Sequence, residues 1–318
     1  MYPTRMTILG LDIGGANLKA ATTEPRAASV PFPLWKHPEK LPAALSQLVT
    51  RFPEASELAV TMTGELCDCY ETKREGVNAI LDAVESLRLP ARIWATSGRF
   101  VSVEAARASH LEVAASNWHA LATFAASFAP SGPALLVDMG STTTDIIPLK
   151  DGRPCAAGRT DWERLLTGEL VYRGVGRTAI HAVLNEKVCA ELFATTQDAF
   201  VVLGDIPEDA TNTDTADGRP LTRAKSLARL ARMLGGDIDS HSDDQLVRFA
   251  ETIRNRVCED LRASIGRHAA PVAIVSGAGE FLIRRTLDSP RIVSLNDALG
   301  PAVSACAPAF ALATLSTS

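Results

Sequence analysis

Two segments of this chain share one pattern: an apolar run, an aspartate, one apolar residue, a glycine and a small polar tip before a second strand-like run. An aspartate at a strand end can hold a magnesium ion directly or through water. A glycine-rich tip exposes backbone N–H groups that can surround phosphate oxygens. The repeat therefore predicts two phosphate-binding hairpins that face each other across a cleft. Aligning residues 9–19 with residues 135–145 gives three matched pairs: Asp12 with Asp138, Gly14 with Gly140, and Lys19 with Asp145.

The two hairpins supply most of the predicted site residues. Asp12 and Asp138 are the predicted ligands of a Mg²⁺ ion, and Lys19 is predicted to reach a phosphate oxygen from the second strand of its hairpin. Structural explanations stay open, because a strand-end aspartate can simply cap a turn and Lys19 can be a solvated strand residue. The predicted phosphate- and cofactor-binding positions of the tips are Gly14, Gly15, Asn17, Gly140, Ser141, Thr142 and Thr143.

A third glycine motif, residues 275–280, follows an apolar strand-like run and precedes a helical pattern. A strand–GxG–helix junction lets the backbone approach an anionic or flat ligand near a helix N-terminus. Gly277 and Gly279 are therefore predicted to bind a cofactor. Such a motif is weak evidence for a ligand site when it occurs alone. Its position after two Asp-x-Gly hairpins makes that evidence stronger.

The elements that position these motifs follow from hydrophobic periodicity. Hairpin-joined strands mixed with helices in both halves favour an α/β fold of two related domains with mixed sheets. Strands are predicted over residues 6–14, 17–24, 28–35, 58–63, 92–96, 199–203, 272–276 and 291–295, with a hairpin over 134–149. Helices are predicted over residues 38–52, 73–89, 114–129, 185–194, 222–234 and 243–267, and from about 300.

The predicted domain organisation follows from the length of the chain and from one stretch of turn-forming residues. A chain of 318 residues is too long for one ordinary core, so two domains are expected. The Pro/Gly/Ser-rich stretch at 130–133 is the predicted boundary. The predicted units are residues 1–131 with the first hairpin, 132–299 with the second hairpin and the third glycine motif, and a C-terminal helix over 300–318.

Composition restricts the classes of partner. The net charge of −5 and the absence of basic clusters argue against a nucleic-acid partner, so small molecules are the predicted partners. No apolar run approaches the length of a membrane helix. Six cysteines in a chain of this size indicate reduced thiols and a cytoplasmic location. The spacing of Cys67 and Cys69 does not fit a zinc site, and their role and the oligomeric state stay open.

The three glycine motifs, in their order and spacing, resemble the phosphate-1, phosphate-2 and adenosine motifs of the actin, Hsp70 and sugar-kinase superfamily. The resemblance implies a two-domain actin-like ATPase (ribonuclease H-like) fold whose C-terminal helix returns to the first domain. Further blocks resemble the hydantoinase A/oxoprolinase-like branch and, within it, the tetrahydromethanopterin-linked C1-transfer pathway proteins. These blocks are residues 62–69 (Met-Thr-Gly-Glu-Leu-Cys-Asp-Cys), 72–77, 115–118, 170–175 and 216–219.

The resemblance also implies a reaction, since archaeal members of that group are regarded as condensing enzymes of methanofuran biosynthesis. Such a transferase joins an aminomethylfuran-methyl diphosphate to the phenol oxygen of γ-glutamyltyramine or a related acceptor and releases diphosphate. The enzyme must stabilise the departing diphosphate and place the nucleophile. A phenol, with a reference pKa of about 10, also needs a base or a nearby cation. The unranked candidates for that role are Glu65, Asp145 and Lys73; Arg173 and Arg177 are candidates for contact with an anionic substrate.

Two other functions remain open on sequence grounds. The intact motif at 276–279 is compatible with ATP, so an ATP-dependent small-molecule kinase or an ATP-driven hydantoinase/oxoprolinase-like enzyme is the first alternative. A non-catalytic nucleotide-sensing protein is the second. The chain is much shorter than full hydantoinase A and oxoprolinase subunits, which makes ATP-driven ring opening the least favoured.

Overall fold

A computed structural model of the protein describes residues 7–317. The first half of the chain builds a six-stranded sheet in the order β3-β2-β1-β4-β5-β6. Strand β1 reads TILGLDI and is almost wholly buried, as expected for a strand with covered faces. The strands of this sheet are β1 Thr7–Ile13, β2 Asn17–Ala21, β3 Ala27–Pro31, β4 Ala55–Met62, β5 Ala91–Ala95 and β6 Arg99–Val101.

The second half of the chain builds another mixed sheet in the order β10-β8-β7-β11-β12, with β9 paired to β8. Its strands are β7 Pro133–Met139, β8 Thr144–Lys150, β9 Arg153–Pro154, β10 Leu170–Val171, β11 Val272–Ser276 and β12 Arg291–Ser294.

The two sheets repeat one topology. In the first, β1 is antiparallel to β2 and parallel to β4. In the second, β7 is antiparallel to β8 and parallel to β11. The two hairpins also share a register, because Asp12 lies opposite Lys19 and Asp138 lies opposite Asp145. These sheets confirm the predicted α/β fold with two mixed sheets.

Helices cover the sheets and join the lobes. The first lobe carries α1 Leu41–Val49, α2 Lys73–Glu85, α3 Val103–Ala108, α4 His110–Val113 and α5 Asn117–Ala125. The remaining helices are α6 Asp161–Thr167, α7 Ile180–Val183, α8 Thr196–Val202, α9 Arg223–Met233, α10 Asp243–Ile265, α11 Glu280–Ile283, α12 Leu295–Leu299, α13 Pro301–Ser304 and α14 Ala307–Leu315. Among residues 7–317, no helix has both the length and the apolar sequence needed to cross a membrane.

Helices α5 and α14 form the core that the lobes share. Phe124 of α5 meets Phe310 of α14 edge to face, with ring centroids 5.5 Å apart. The same cluster includes Leu136 and Ile147 from the second sheet. Helix α14 also packs against β1 and β4 of the first sheet. The C-terminal helix therefore supports the strand that carries Asp12, whereas the predicted boundaries at 131/132 and 299/300 stay predictions.

Gly10 allows α14 to approach β1 closely. A Cβ added at this position would lie 1.8 Å from the carbonyl oxygen of Ala309, so two backbones would have to separate. We expect Gly10→Ala to lower the free energy of unfolding by about 3 kcal/mol, measured by urea titration. Gly266→Ala is the matched control, because that glycine has right-handed helical backbone angles and nothing within 4 Å. It should leave stability unchanged or raise it slightly, and a Gly10→Ala protein as stable as this control would contradict the packing argument.

Two sequence predictions in the second lobe are wrong. Residues 199–203 were expected to form a strand, and they lie mostly in α8. Every residue of α8 is buried, so its apolar run carries no helical periodicity that could distinguish it from a strand. The helix expected over 185–194 is absent, since the chain there is irregular with several bends and Lys187 has a φ of +63°.

Smaller differences concern the ends of elements and the shortest elements. The strand expected over 28–35 ends at Pro31, after which the chain turns toward the first hairpin tip. The helix expected from 114 begins at Asn117, because Ala115 has a φ of +48°. Periodicity also missed β6, α3, α4 and α6. Helix α6 has only seven residues, too few for periodicity to identify it, and its apolar side chains Trp162, Leu165 and Leu166 are exposed.

Candidate functional site

Both hairpin tips open into one cleft of about 330 Å³ between the lobes. Twelve of the predicted site residues line it: Asp12, Gly14, Gly15, Asn17, Lys19, Asp138, Gly140, Ser141, Thr142, Thr143, Asp145 and Arg177. Five other predicted residues do not line it: Glu65, Lys73, Arg173, Gly277 and Gly279. The geometric expectation behind the site is met, because the acidic strand ends of the two lobes face the same cavity. The chemical roles of the individual residues stay predictions.

Each hairpin tip is a tight two-residue loop. The Gly14 amide donates to the Asn17 carbonyl oxygen at 3.0 Å, and the Gly140 amide donates to the Thr143 carbonyl oxygen at 2.9 Å. The backbone amides between these closing pairs donate no hydrogen bond within residues 7–317. They are the amides of Gly15, Ala16, Ser141 and Thr142. The tips thus present unused N–H groups to the cleft, as an anion site requires.

A strap of chain holds the first tip from behind. This first strap is residues 32–35, and its Phe32 and Leu34 amides donate to the carbonyl oxygens of Ala16 and Gly15, each at 2.9 Å. Because the carbonyl oxygens of the tip are bound on this side, its amides are left for a ligand. The strap ends in Trp35, which lines the cleft.

A second strap, residues 173–177, holds the second tip in the same way. The amides of Gly176 and Arg177 both donate to the Ser141 carbonyl oxygen at 2.9 Å. Gly174 permits this contact, since a Cβ there would lie 2.3 Å from the same oxygen. The glycines of this strap therefore let it approach the tip, and Arg177 lines the cleft as Trp35 does on the opposite side.

Three carboxylates concentrate negative charge at the base of the cleft. Burial raises the pKa of Asp12, with Lys19 opposing the shift and Asp145 adding to it. Burial raises the pKa of Asp138 to about 6; a hydrogen bond from Ser276 opposes this, and the charges of Asp145 and Asp12 add to it. All three carboxylates line the same cleft, so the charge of each raises the free energy of ionising the others.

Lys19 lies across the hairpin from Asp12, and Asp145 lies across the hairpin from Asp138. The charges of these two partners are compensated to different extents. Asp145 is ion-paired to Arg164, which is fully buried and stacks over the Trp118 ring at 4.3 Å. Lys19 makes no ion pair within the described part of the chain, although its charge acts on Asp12. The first hairpin therefore offers a free cation to a ligand, whereas the second offers a carboxylate whose charge is already compensated.

The residues present fit a magnesium ion that is completed by substrate. Oδ1 of Asp12 is buried without a hydrogen-bond partner, and a cation would satisfy it. No cluster of three or more metal-binding side chains occurs within residues 7–317. Mg²⁺ commonly binds through one or two carboxylates together with substrate phosphates and water. Asp12 and Asp138 can supply that protein share.

The third glycine motif supports Asp138 from behind. Ser276 donates a short hydrogen bond to the Asp138 carboxylate. Gly277 has a φ of +85°, and a Cβ at Gly279 would lie 2.3 Å from the Met139 side chain. Both glycines thus have a packing reason to be present, and their role in cofactor binding stays a prediction.

Glu65 is a buried carboxylate just behind the cleft wall. It is 1% exposed, and neither carboxylate oxygen has a hydrogen-bond partner among the described residues. Burial raises its pKa to about 7, with the charge of Lys73 opposing the shift. Its neighbour Leu66 lines the cleft. Lys73 is the first residue of α2 and acts on Glu65 through its charge.

Cys67 and Cys69 are free thiols in a partly buried setting. Cys67 lines the cleft, and burial raises the pKa of its thiol to about 11. Burial also raises the pKa of Cys69. The role of the pair stays open.

Sequence reasoning missed the aromatic and apolar wall of the cleft. The missed lining residues include Trp35, Leu66, Asp161, Arg164, Leu170, Tyr172 and Pro308. Flat and apolar side chains beside an anion-binding floor suit a ligand that joins a ring to a phosphate. Leu66, Leu170 and Tyr172 lie in blocks that carry the family resemblance, but no local pattern assigns any of these residues to the cleft, since they come from five separate segments that meet only in the folded chain.

Residues 57–318 match the model of the hydantoinase/oxoprolinase family. The chain belongs to this family. Over 98% of its length it is 36% identical to (4-{4-[2-(gamma-L-glutamylamino)ethyl]phenoxymethyl}furan-2-yl)methanamine synthase of Methanocaldococcus jannaschii, of which the match covers 98%. A synthase of the same name from Methanococcus vannielii is 32% identical over 57% of this chain and 89% of that protein.

Solved structures share the fold of this hydantoinase/oxoprolinase member. A ROK family glucokinase from Streptomyces griseus, in complex with glucose and AMPPNP, matches 97% of this chain and 98% of its own with a TM-score of 0.51 and 16% identity. A nucleotide-free acetone carboxylase matches 96% of this chain and 70% of its own with a TM-score of 0.55 and 12% identity. At these identities the likeness shows the fold, and it confirms the predicted two-domain actin-like ATPase architecture.

Proposed function

We propose that this protein is a transferase that joins an aminomethylfuran-methyl diphosphate to the phenol oxygen of γ-glutamyltyramine, or of a related acceptor, and releases diphosphate. The observation that carries the proposal is the 36% identity, along 98% of both chains, to a synthase whose named product contains that phenoxymethylfuran ether. The cleft supports it, since anion-binding tips lie beside an aromatic and apolar wall.

The bond changes define what the cleft must do. The phenol oxygen bonds to the furfuryl CH₂ carbon, the carbon–oxygen bond to diphosphate breaks, and its electron pair leaves with the diphosphate. The phenol proton passes to a base. Positive charge develops on the carbon and negative charge on the leaving group, so stabilising the leaving group is the main electrostatic task.

The hairpin tips are suited to hold the leaving group. The unused amides of Gly15, Ala16, Ser141 and Thr142 can donate to diphosphate oxygens. Lys19 adds a positive charge at the base of the first tip. A Mg²⁺ ion bound by Asp12 and Asp138 would neutralise the charge that develops on the departing oxygens. These groups are fixed before the reaction, so little reorganisation accompanies charge transfer.

Position and burial support one of the three candidate bases. Asp145 lines the cleft, and burial raises its pKa against the opposing charge of Arg164, but the carboxylate is already engaged in that ion pair. Neither Lys73, on α2, nor Glu65 lines the cleft, but Glu65 directly precedes Leu66, which does. Glu65 has a pKa of about 7, close to the value at which a general base is most effective. We therefore propose Glu65 as the acceptor of the phenol proton.

A direct test combines product analysis with ligand stabilisation. The purified protein, incubated with Mg²⁺, a furan-methyl diphosphate and γ-glutamyltyramine, should yield the ether, detected by mass spectrometry together with free diphosphate. Inorganic diphosphate with Mg²⁺ should also raise the melting temperature more than ATP with Mg²⁺ does. A ligand at about 100 times its Kd stabilises the native state by about 2.7 kcal/mol.

The opposite results select the alternatives. A larger shift with ATP, together with ATP hydrolysis or phosphorylation of a small molecule, would favour an ATP-dependent enzyme, with which the fold is compatible. A shift with nucleotide but no turnover of any substrate would favour a nucleotide-sensing protein.

A further inference from the structure

Two arginines of the second strap have opposite environments. Arg173 is fully engaged: its guanidinium lies 2.7 Å from Asp260 and also donates to the Ala182 carbonyl oxygen at 3.2 Å. Arg177 lines the cleft, and its Nη1 is buried with no hydrogen-bond partner among the described residues. A guanidinium is charged at every physiological pH, and an unsatisfied buried donor on a charged group is costly. The arrangement points to a ligand as the missing partner of Arg177.

The Arg177 side chain crosses the cleft from the second lobe to the first. Its backbone amide is bound to Ser141 in the second tip, at 2.9 Å. Its guanidinium carbon lies 4.4 Å from the centroid of the Trp35 ring, at the end of the first strap. Its charge also lowers the pKa of Cys67 against the larger effect of burial.

Cys67 locates the guanidinium relative to the first tip. The Cys67 sulfur is so close to Gly15 that a Cβ added to that glycine would lie 2.7 Å from it. Arg177 therefore starts beside the second tip and acts beside the first, where the Gly15 and Ala16 amides are unused. Within residues 7–317, no carboxylate lies within ion-pair distance of Arg177.

We propose that Arg177 binds the diphosphate of the substrate at the first tip, with Trp35 positioning its guanidinium. This inference rests on the proposed function for the identity of the anion. The planar guanidinium can donate two parallel hydrogen bonds to phosphate oxygens. The face of Trp35 restricts its orientation before the ligand arrives, which reduces the entropy lost on binding. Because Arg177 belongs to the second lobe, one diphosphate contacts both lobes and holds them together.

The test measures binding of inorganic diphosphate, with Mg²⁺ present, by isothermal titration calorimetry on the full chain. Arg177→Met should weaken binding by about 10- to 100-fold, the range expected for lost charge-assisted hydrogen bonds. Arg177→Lys should recover part of the loss, since it restores the charge without the planar donor pair. Arg291→Met is the control, because it makes the same change at an exposed arginine of β12 outside the cleft, and it should bind diphosphate as the unmodified protein does.

Trp35 needs a readout that a purely structural role would not change. Trp35→Phe keeps an aromatic face and should preserve diphosphate affinity, whereas Trp35→Leu should weaken it by less than Arg177→Met does. In the Arg177→Met background, Trp35→Leu should cause no further loss, because the group it positions is gone. A full additional loss in the double variant would show that Trp35 acts independently of Arg177.

The inference is overturned if Arg177→Met binds inorganic diphosphate as tightly as the unmodified protein, or if the unmodified protein binds none. It is also overturned if Arg177→Met raises the KM for the phenolic acceptor and leaves diphosphate affinity intact, which would assign the arginine to the acceptor carboxylate. Failure of the proposed function gives a different result: no ether forms, yet diphosphate binding still depends on Arg177.

Discussion

Asp138→Asn is expected to lower the turnover of ether formation by about 10³-fold or more while the protein stays folded. The substitution keeps the shape of the side chain and an oxygen that can accept from Ser276. It removes the negative charge that would hold a cation at the base of the cleft. Because burial already disfavours that charge, the melting temperature above about pH 7 should be unchanged or higher. Steady-state kinetics and thermal unfolding of the same preparation measure both effects.

Asp288→Asn is the matched control, since it makes the same chemical change at an exposed aspartate outside the cleft. Asp12→Asn should resemble Asp138→Asn. The double variant should lose much less than the product of the two single losses, because both side chains serve one ion. Turnover near that of the unmodified protein in Asp138→Asn would remove the residue from the mechanism and, with it, the idea of paired strand-end ligands.

Glu65→Gln should raise the free energy of unfolding in alkaline solution. It should also remove the dependence of kcat/KM on pH. An acid whose folded pKa is raised from 4.5 to about 7 binds its proton more tightly in the native state. Native stability is therefore greatest at low pH and falls as the pH rises through about 7. The neutral amide avoids that loss, so the variant should be more stable by roughly 3 kcal/mol at about pH 8.5 and no more stable at about pH 4.5.

Catalysis should change in the opposite direction. If Glu65 accepts the phenol proton, kcat/KM of the unmodified protein rises with pH through an apparent pKa near 7, and Glu65→Gln is slow and lacks this rise. Glu112→Gln, at an exposed glutamate, is the control for both measurements. A variant that gains stability at high pH but keeps the pH–rate rise would leave Glu65 a buried structural acid and transfer the role of base to another group.

Local sequence determined the two hairpins and the fold around them. Asp12 and Asp138, with Lys19 and Asp145 opposite them, are readable from the chain because a hairpin is built by neighbouring residues. A repeated local pattern also implies a repeated sheet, which the matching strand orders confirm. The all-buried helix α8 was mistaken for a strand because periodicity requires one face exposed to water.

Tertiary structure alone decided what surrounds the hairpins and how the charges behave. The cleft wall takes Trp35 from one strap and Arg177 from the other, and no short-range pattern connects positions so far apart in the chain. Burial created the raised pKa of Glu65, and the packing of Met139 explains Gly279 without a ligand. Hydrogen-bonded turns depend on nearby residues and can be read locally. Desolvation, ion pairing and cavity shape depend on which distant segments meet, and the sequence does not display those contacts.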